Sequence, residues 1–172
     1  MNKKIFFSLI LSLFFTLKVF AAGSSDSSSS KTKTDYDRAV SLIDSAKKYE
    51  TNGNTDKANK KYKKALKLLT KSNLKKPNNA DTLNYLGFTT RKLGDYKNGE
   101  KFYLQGLALQ PNHIGINEYL GELYVATNRY DLAKERLNVL QNCNCEEYNQ
   151  LKMIIDGEKK SKYWFLNFIL HV

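Results

Sequence analysis

The sequence predicts an all-α fold, a solenoid made of repeated helix-turn-helix units. The first observation is a period of 34 residues: Leu86-Gly87 recurs as Leu120-Gly121, and segment 93–96 recurs as 127–130. The second observation is the helical spacing of apolar and small residues inside each period. A fixed period of this length is typical of a repeat array, in which each unit buries its apolar face against its neighbours.

The unit at residues 80–113 predicts two antiparallel helices joined by a tight turn. Apolar or small residues at helical spacing define the packing faces, with Leu83, Leu86 and Gly87 on the first helix and Gly99, Tyr103 and Gly106 on the second. Small residues at 87 and 99 let the helices approach closely where they cross. Gly94-Asp95 is a turn signal, and Pro111 ends the second helix.

These positions resemble the signature of the tetratricopeptide repeat (TPR). With Ala80 as position 1, the signature residues present are Leu86, Gly87, Tyr96, Tyr103 and Pro111. Leu83 replaces a Trp, Thr90 replaces a Tyr, and Gly99 and Gly106 replace Ala, so that size is roughly kept. The resemblance implies a right-handed superhelical solenoid of three TPR-like repeats, a non-enzymatic protein that binds other proteins.

The first repeat is predicted at about residues 39–79. It shares the small, aromatic and turn residues of the signature, namely Ala46, Tyr49, Gly53, Ala58, Tyr62 and Ala65. Its proline, Pro77, comes seven residues late, which is close to two helical turns. We therefore expect a long second helix, from about Thr55 to Lys75, whose apolar face is extended by Leu66, Leu69 and Leu74.

The third repeat is predicted at about residues 114–145 and a capping helix at 146–157. Leu120, Gly121, Tyr124, Ala133, Leu137 and Leu140 hold the repeat positions. Glu146 to Ile155 places apolar residues on one side, as a helix covering the last open face of the array would require. The TPR domain is thus expected at 35–157, followed by an aromatic and apolar tail at 158–172.

The N-terminal segment, residues 1–21, has the pattern of a signal peptide. Lys3 and Lys4 precede an uncharged apolar run at 5–17, and small residues place the cleavage site near Ala21. The Ser-rich residues 22–34 have little to bury, so we expect a disordered linker. These features predict export to the periplasm of a bacterium, with a retained membrane anchor as the less favoured alternative. The 158–172 tail has three candidate sites: the domain itself, a membrane or a partner.

Composition excludes several kinds of chemistry. The net charge of +11 is interpreted as solvated helix faces, with anionic lipid, nucleic acid or an acidic partner as alternatives. The only histidines, His113 and His171, have no nucleophilic partner in sequence context, and no cofactor or metal site is predicted. Cys143 and Cys145 form a candidate disulfide or redox pair, or they fill an apolar joint.

The resemblance also implies a concave groove lined by the first helix of each repeat. The predicted partner-binding residues are Asn84, Tyr85, Phe88, Arg91, Lys92, Glu118, Tyr119 and Glu122. Tyr85 and Phe88 lie off the packing face of their helix, so we expect both to be available to a partner. Arg91 would hold a carboxylate of that partner, and Glu118 and Glu122 would favour a basic group.

The sequence is therefore interpreted as a TPR scaffold that mediates protein-protein interaction in the bacterial cell envelope. Two alternatives belong to other classes of protein: a thiol-redox protein using Cys143 and Cys145, and a membrane-surface protein using its basic faces and C-terminal tail. A groove of mixed charge does not suit nucleic acid, since phosphates would be repelled there. The partner and the oligomeric state stay open.

Overall fold

A computed structural model describes residues 33–159 of the chain, and within this range it contains seven α-helices and no strand. The helices are α1 (Asp35–Thr51), α2 (Thr55–Lys75), α3 (Ala80–Lys92), α4 (Tyr96–Leu109), α5 (Ile114–Ala126), α6 (Tyr130–Leu140) and α7 (Glu146–Ile155). The predicted all-α repeat fold is thus confirmed. The predicted signal peptide, nearly all of the linker, and the tail beyond residue 159 lie outside the described residues.

The helices pair in chain order as three hairpins, α1–α2, α3–α4 and α5–α6. Each hairpin packs on the next one, and α7 covers α5 and α6 at the end of the array. None of the helices that the structure describes combines the length and apolarity needed to cross a membrane.

The same turn closes all three hairpins. Gly53, Gly94 and Asn128 follow the first helix of each hairpin with positive φ values of 72°, 93° and 59°. The next amide in each turn donates back to the carbonyl five residues earlier, as in Asp95 N–H to Thr90 O at 3.2 Å. This is the Schellman arrangement, which satisfies helix-end carbonyls and favours a residue that tolerates the left-handed conformation.

Two clusters of buried residues form the core. The first joins α1, α2 and α3 through residues that include Ile43, Tyr62, Leu69 and Leu86. The second joins α3 to α6 through residues that include Tyr103, Ile116, Leu120 and Leu123. The predicted close approach of α3 and α4 is also present, because a methyl group added at Gly87 would lie 2.5 Å from Cε1 of Tyr103.

Leu74 does not extend the apolar face of α2, and that prediction is wrong. Leu69 is fully buried, whereas Leu74 is 80% exposed. A step of five residues along a helix turns a side chain by roughly 140° from its starting direction. Leu74 therefore points away from α1 and α3, although α2 has the length that was expected.

Candidate functional site

The first helices of the three hairpins, α1, α3 and α5, carry the predicted binding residues. A row of aromatic rings crosses these helices: Tyr36 lies edge-on to Tyr85 with ring centroids 5.8 Å apart, and Phe88 lies 5.0 Å from Tyr119. We call these four residues the aromatic row. Tyr36, Tyr85 and Tyr119 are half-buried, while Phe88 is buried.

Phe88 belongs to the core, contrary to the expectation that it would be available to a partner. It is 2% exposed and packs edge-on against Tyr62 of α2, at 6.0 Å between centroids. The Nζ atom of Lys47 lies 4.9 Å from the centre of its ring, within the range of a cation–π contact. Phe88 therefore contacts three neighbouring helices: α1 through Lys47, α2 through Tyr62 and α5 through Tyr119.

Arg91 and Glu122 form a buried ion pair between α3 and α5. Nη2 of Arg91 lies 3.2 Å from Oε2 of Glu122, and Nη1 donates to the backbone oxygen of Tyr119 at 2.7 Å. The side chains are 0% and 3% exposed. The expected roles toward a partner's charges are thus wrong for these two residues, since each charge is used inside the protein.

Lys92 joins α3 to α1 through Glu50. Its Nζ atom lies 2.8 Å from Oε1 of Glu50, and the hydroxyl of Tyr62 donates to Oε2 of the same carboxylate at 2.9 Å. Burial lowers the pKa of Lys92, an effect that the hydrogen bond and charge of Glu50 oppose. Lys92 is therefore a structural link between the first two hairpins.

Asn84 lies at the contact between α3 and the start of α5. It is 7% exposed, and a methyl group at Gly115 would lie 2.9 Å from its Nδ2 atom. Its side-chain oxygen is buried and accepts no hydrogen bond within the described region. Asn84 is thus enclosed by the helices that it joins.

Tyr85, Tyr119 and Glu118 are the predicted residues that keep part of their side chains at the surface. Burial, followed by the charges of Asp44 and Asp81, raises the pKa of Tyr85. Burial, followed by the charges of Glu118 and Glu122, raises the pKa of Tyr119. Both phenols therefore stay protonated and can donate a hydrogen bond at neutral pH, in surroundings of negative charge.

His113 has a structural role at the start of α5. Its Nδ1 atom accepts a hydrogen bond from the amide of Ile116 at 3.2 Å. Its Nε2 atom lies 3.1 Å from Oδ1 of Asp81. In the neutral ring the proton is then on Nε2, which donates to Asp81. His113 caps one helix and holds the start of α3 beside it.

Cys143 and Cys145 are joined in a disulfide, with Cα atoms 5.2 Å apart. The bridge lies in the connection between α6 and α7, where Cys145 immediately precedes α7. Both residues are partly exposed. The bond fixes the start of the last helix, which packs on α5 and α6.

A second surface, a basic cleft between α1 and α2, was not predicted from the sequence. Its volume is about 630 Å³, and its lining includes Leu42, Leu68 and five basic residues, Lys33, Arg38, Lys61, Lys64 and Lys67. The distribution of charge along the chain could have indicated it. Residues 33–79 contain thirteen Lys and Arg against five Asp and Glu, whereas residues 80–159 contain nine against eleven.

Fold and sites together define a helical-repeat protein in which the first helices of the hairpins, α1, α3 and α5, carry the aromatic row. We call this surface the first-helix face. Residues 80–113 match the family model of the tetratricopeptide repeat. A comparison with curated protein sequences gives no match.

Solved TPR structures are similar to this chain. The first TPR of Spaghetti (RPAP3), bound to the HSP90 peptide SRMEEVD, is 21% identical; the match covers 73% of this chain and 96% of that one, with a TM-score of 0.45. The Arabidopsis OM64 TPR domain is 12% identical, with coverages of 73% and 99% and a TM-score of 0.46. The TPR2B domain of yeast Sti1 in complex with pHsp70 is 18% identical, with coverages of 71% and 98% and a TM-score of 0.46.

Proposed function

We propose that the protein is a non-enzymatic scaffold whose first-helix face binds a segment of a partner polypeptide. The observation that carries this proposal is the line of half-buried tyrosines, Tyr36, Tyr85 and Tyr119, one on each of α1, α3 and α5. Tyrosines of this kind offer a large apolar ring and a hydroxyl donor with little loss of conformational freedom on binding.

The charges beside the tyrosines favour a partner segment with basic side chains. Asp44 and Asp81 are exposed and lie close enough to Tyr85 to shift the pKa of its phenol. Glu118 acts on Tyr119 in the same way. Arg91 is neutralised by Glu122, so it does not offset these carboxylates at the surface.

The experiment replaces the two accessible tyrosines of α3 and α5. Partners are first crosslinked and identified in the native cell envelope, and the affinity of the purified pair is then measured. Tyr85→Ala with Tyr119→Ala is expected to weaken binding by about 2 kcal/mol, near thirtyfold, as for aromatic residues at interface centres. Phe88 is left intact because its removal would damage the core.

Tyr130→Ala is the matched control, since Tyr130 is an exposed tyrosine on α6, which is the second helix of its hairpin. It should leave the affinity unchanged. The assignment of the face is wrong if the double variant stays helical and binds the same partner as tightly as the wild type does.

For the location of this scaffold we propose the bacterial cell envelope. The signal-peptide pattern of residues 1–21 supports export. The disulfide of Cys143 and Cys145 supports it too, because such bonds persist in oxidising compartments. Mass spectrometry of the protein from fractionated bacteria is expected to find it in the periplasm, with a new N-terminus near residue 22. An intact N-terminus in the cytoplasmic fraction would contradict this location.

A further inference from the structure

The basic cleft lies on the first hairpin, at the N-terminal end of the repeat array in residues 33–159. Residues of α1 and α2, with Lys33 just before them, form its whole lining. The first hairpin packs on α3 through a different face. No other helix in residues 33–159 covers the face that contains the cleft. A terminal repeat needs a polar outer face, but that requirement does not explain a face with one sign of charge.

Only one of the five basic residues that line the cleft, Arg38, has a carboxylate within ion-pair distance in the range 33–159. The first hairpin, residues 33–79, has a net charge of +8, and residues 80–159 have −2. Asp35 pairs with the cleft residue Arg38 at 3.7 Å, and also with Lys75 at 2.7 Å and Lys71 at 3.5 Å. No carboxylate in the range 33–159 lies within ion-pair distance of Lys61, Lys64 or Lys67.

Charge also argues against an occupant from the chain itself. After the proposed cleavage near Ala21, residues 22–32 contain one lysine and one acid, and residues 160–172 contain two lysines and no acid. Neither segment has a net negative charge that would complement the cleft. The charge of the cleft is complementary to a surface that carries many negative charges.

We propose that the basic cleft docks the protein on a membrane surface that contains anionic phospholipids. Lysines on α2 meet the headgroup phosphates, while Leu42 and Leu68 of the same lining offer apolar contact to the lipid. Single-stranded nucleic acid fits less well because no aromatic side chain lines the cleft to stack on a base. The choice of lipid also rests on the proposed export, after which a membrane surface is the polyanion at hand.

The test is co-sedimentation of the mature chain, residues 22–172, with vesicles of phosphatidylcholine, with and without phosphatidylglycerol. The patch variant is Lys61→Gln, Lys64→Gln and Lys67→Gln. Because each basic residue near an anionic surface adds to binding, we expect the three changes to reduce the partition coefficient on phosphatidylglycerol vesicles by about a hundredfold at low salt. Raised salt should weaken binding of the wild type through screening.

The matched control removes three exposed lysines from other hairpins: Lys97→Gln, Lys101→Gln and Lys134→Gln. It has the same net charge as the patch variant and should bind within about threefold of the wild type, since its lysines lie outside the cleft. A second variant, Lys61→Arg with Lys64→Arg and Lys67→Arg, keeps the charges and should bind as the wild type does. Circular dichroism verifies that all variants stay helical.

Three results would overturn the proposal. Equal weakening of vesicle binding in the patch variant and the control variant would show that net charge alone causes binding. Equal binding of patch variant and wild type would assign membrane contact to another segment. Tighter binding of a DNA duplex than of the vesicles, lost in the patch variant, would assign the cleft to nucleic acid. None of these results bears on the first-helix face, whose tyrosine variants are measured against a polypeptide.

Discussion

At the scale of single residues, two aromatic side chains on the same helix differ in what they contact. Tyr85 and Phe88 are both large aromatics off the packing face of α3 by sequence position. Tyr85 keeps part of its ring at the surface, whereas Phe88 is enclosed by Tyr62 and Tyr119. Helical periodicity predicts the direction of a side chain, but not which neighbouring helix comes to meet it. The candidate site could therefore be placed on α3 and α5 without identifying its accessible members.

The buried pair of Arg91 and Glu122 gives a prediction at this scale. Glu122→Ala should lower the free energy of unfolding by about 3–5 kcal/mol, because it leaves the guanidinium buried without its carboxylate. The double variant Arg91→Met with Glu122→Leu should cost clearly less, since it removes both charges and keeps the volume. Urea denaturation of the single and double variants measures the difference.

Lys152→Ala serves as the control, because it removes an exposed ion pair with Asp156 and should change stability by less than about 1 kcal/mol. A loss for Glu122→Ala no larger than that of this control would mean that the buried pair does not hold α3 to α5.

At the scale of helices and turns, sequence and structure agree closely. The predicted long helix and the predicted capping helix correspond to α2 (Thr55–Lys75) and α7 (Glu146–Ile155). Glycine and proline mark boundaries locally, so neighbouring residues alone place them. The disulfide and the cross-helix ion pairs depend on distances between segments, which spacing along the chain does not contain. The sequence thus left the state of Cys143 and Cys145 open.

The turn between α5 and α6 gives a prediction for elements. Asn128 takes the place that Gly53 and Gly94 hold in the other hairpins, with φ at 59°. Asn128→Gly should leave the melting temperature nearly unchanged, since both residues tolerate this conformation. Asn128→Val should cost about 1–2 kcal/mol, because a β-branched side chain is strained at positive φ.

The control for the turn is Asn138→Val, on the exposed side of α6, where the backbone is helical. It should have little effect on the melting temperature. If Asn128→Val melts at the temperature of this control, the positive φ in the turn is not a constraint on the hairpin.

At the scale of the whole molecule, the charge is distributed less evenly than the sequence was taken to suggest. Most lysines of residues 33–159 do occupy exposed positions, as a solvated surface requires, but Lys92 does not. Assigning them to helices α1 and α2 shows that the first hairpin carries most of the excess. A net charge for the chain hides this asymmetry. A net charge for each repeat reveals it, and the cleft is visible once α1 and α2 are placed side by side.

Leu120→Asp tests whether the array unfolds as one unit. Leu120 is fully buried on α5, in a cluster that also contains Tyr103 and Leu107 of α4. An unpaired carboxylate there should cost several kcal/mol, and three repeats are about the minimum for a stable array. We therefore expect the whole domain to lose its cooperative thermal transition, as monitored by far-ultraviolet circular dichroism.

Leu104→Asp is the matched control, the same substitution at an exposed site of α4, and this variant should melt near the temperature of the wild type. A Leu120→Asp protein that keeps a native-like melting temperature would refute the packing of α5 at the centre of the second cluster. One that loses only the helicity of α5 to α7 would show instead that the first two hairpins are stable by themselves.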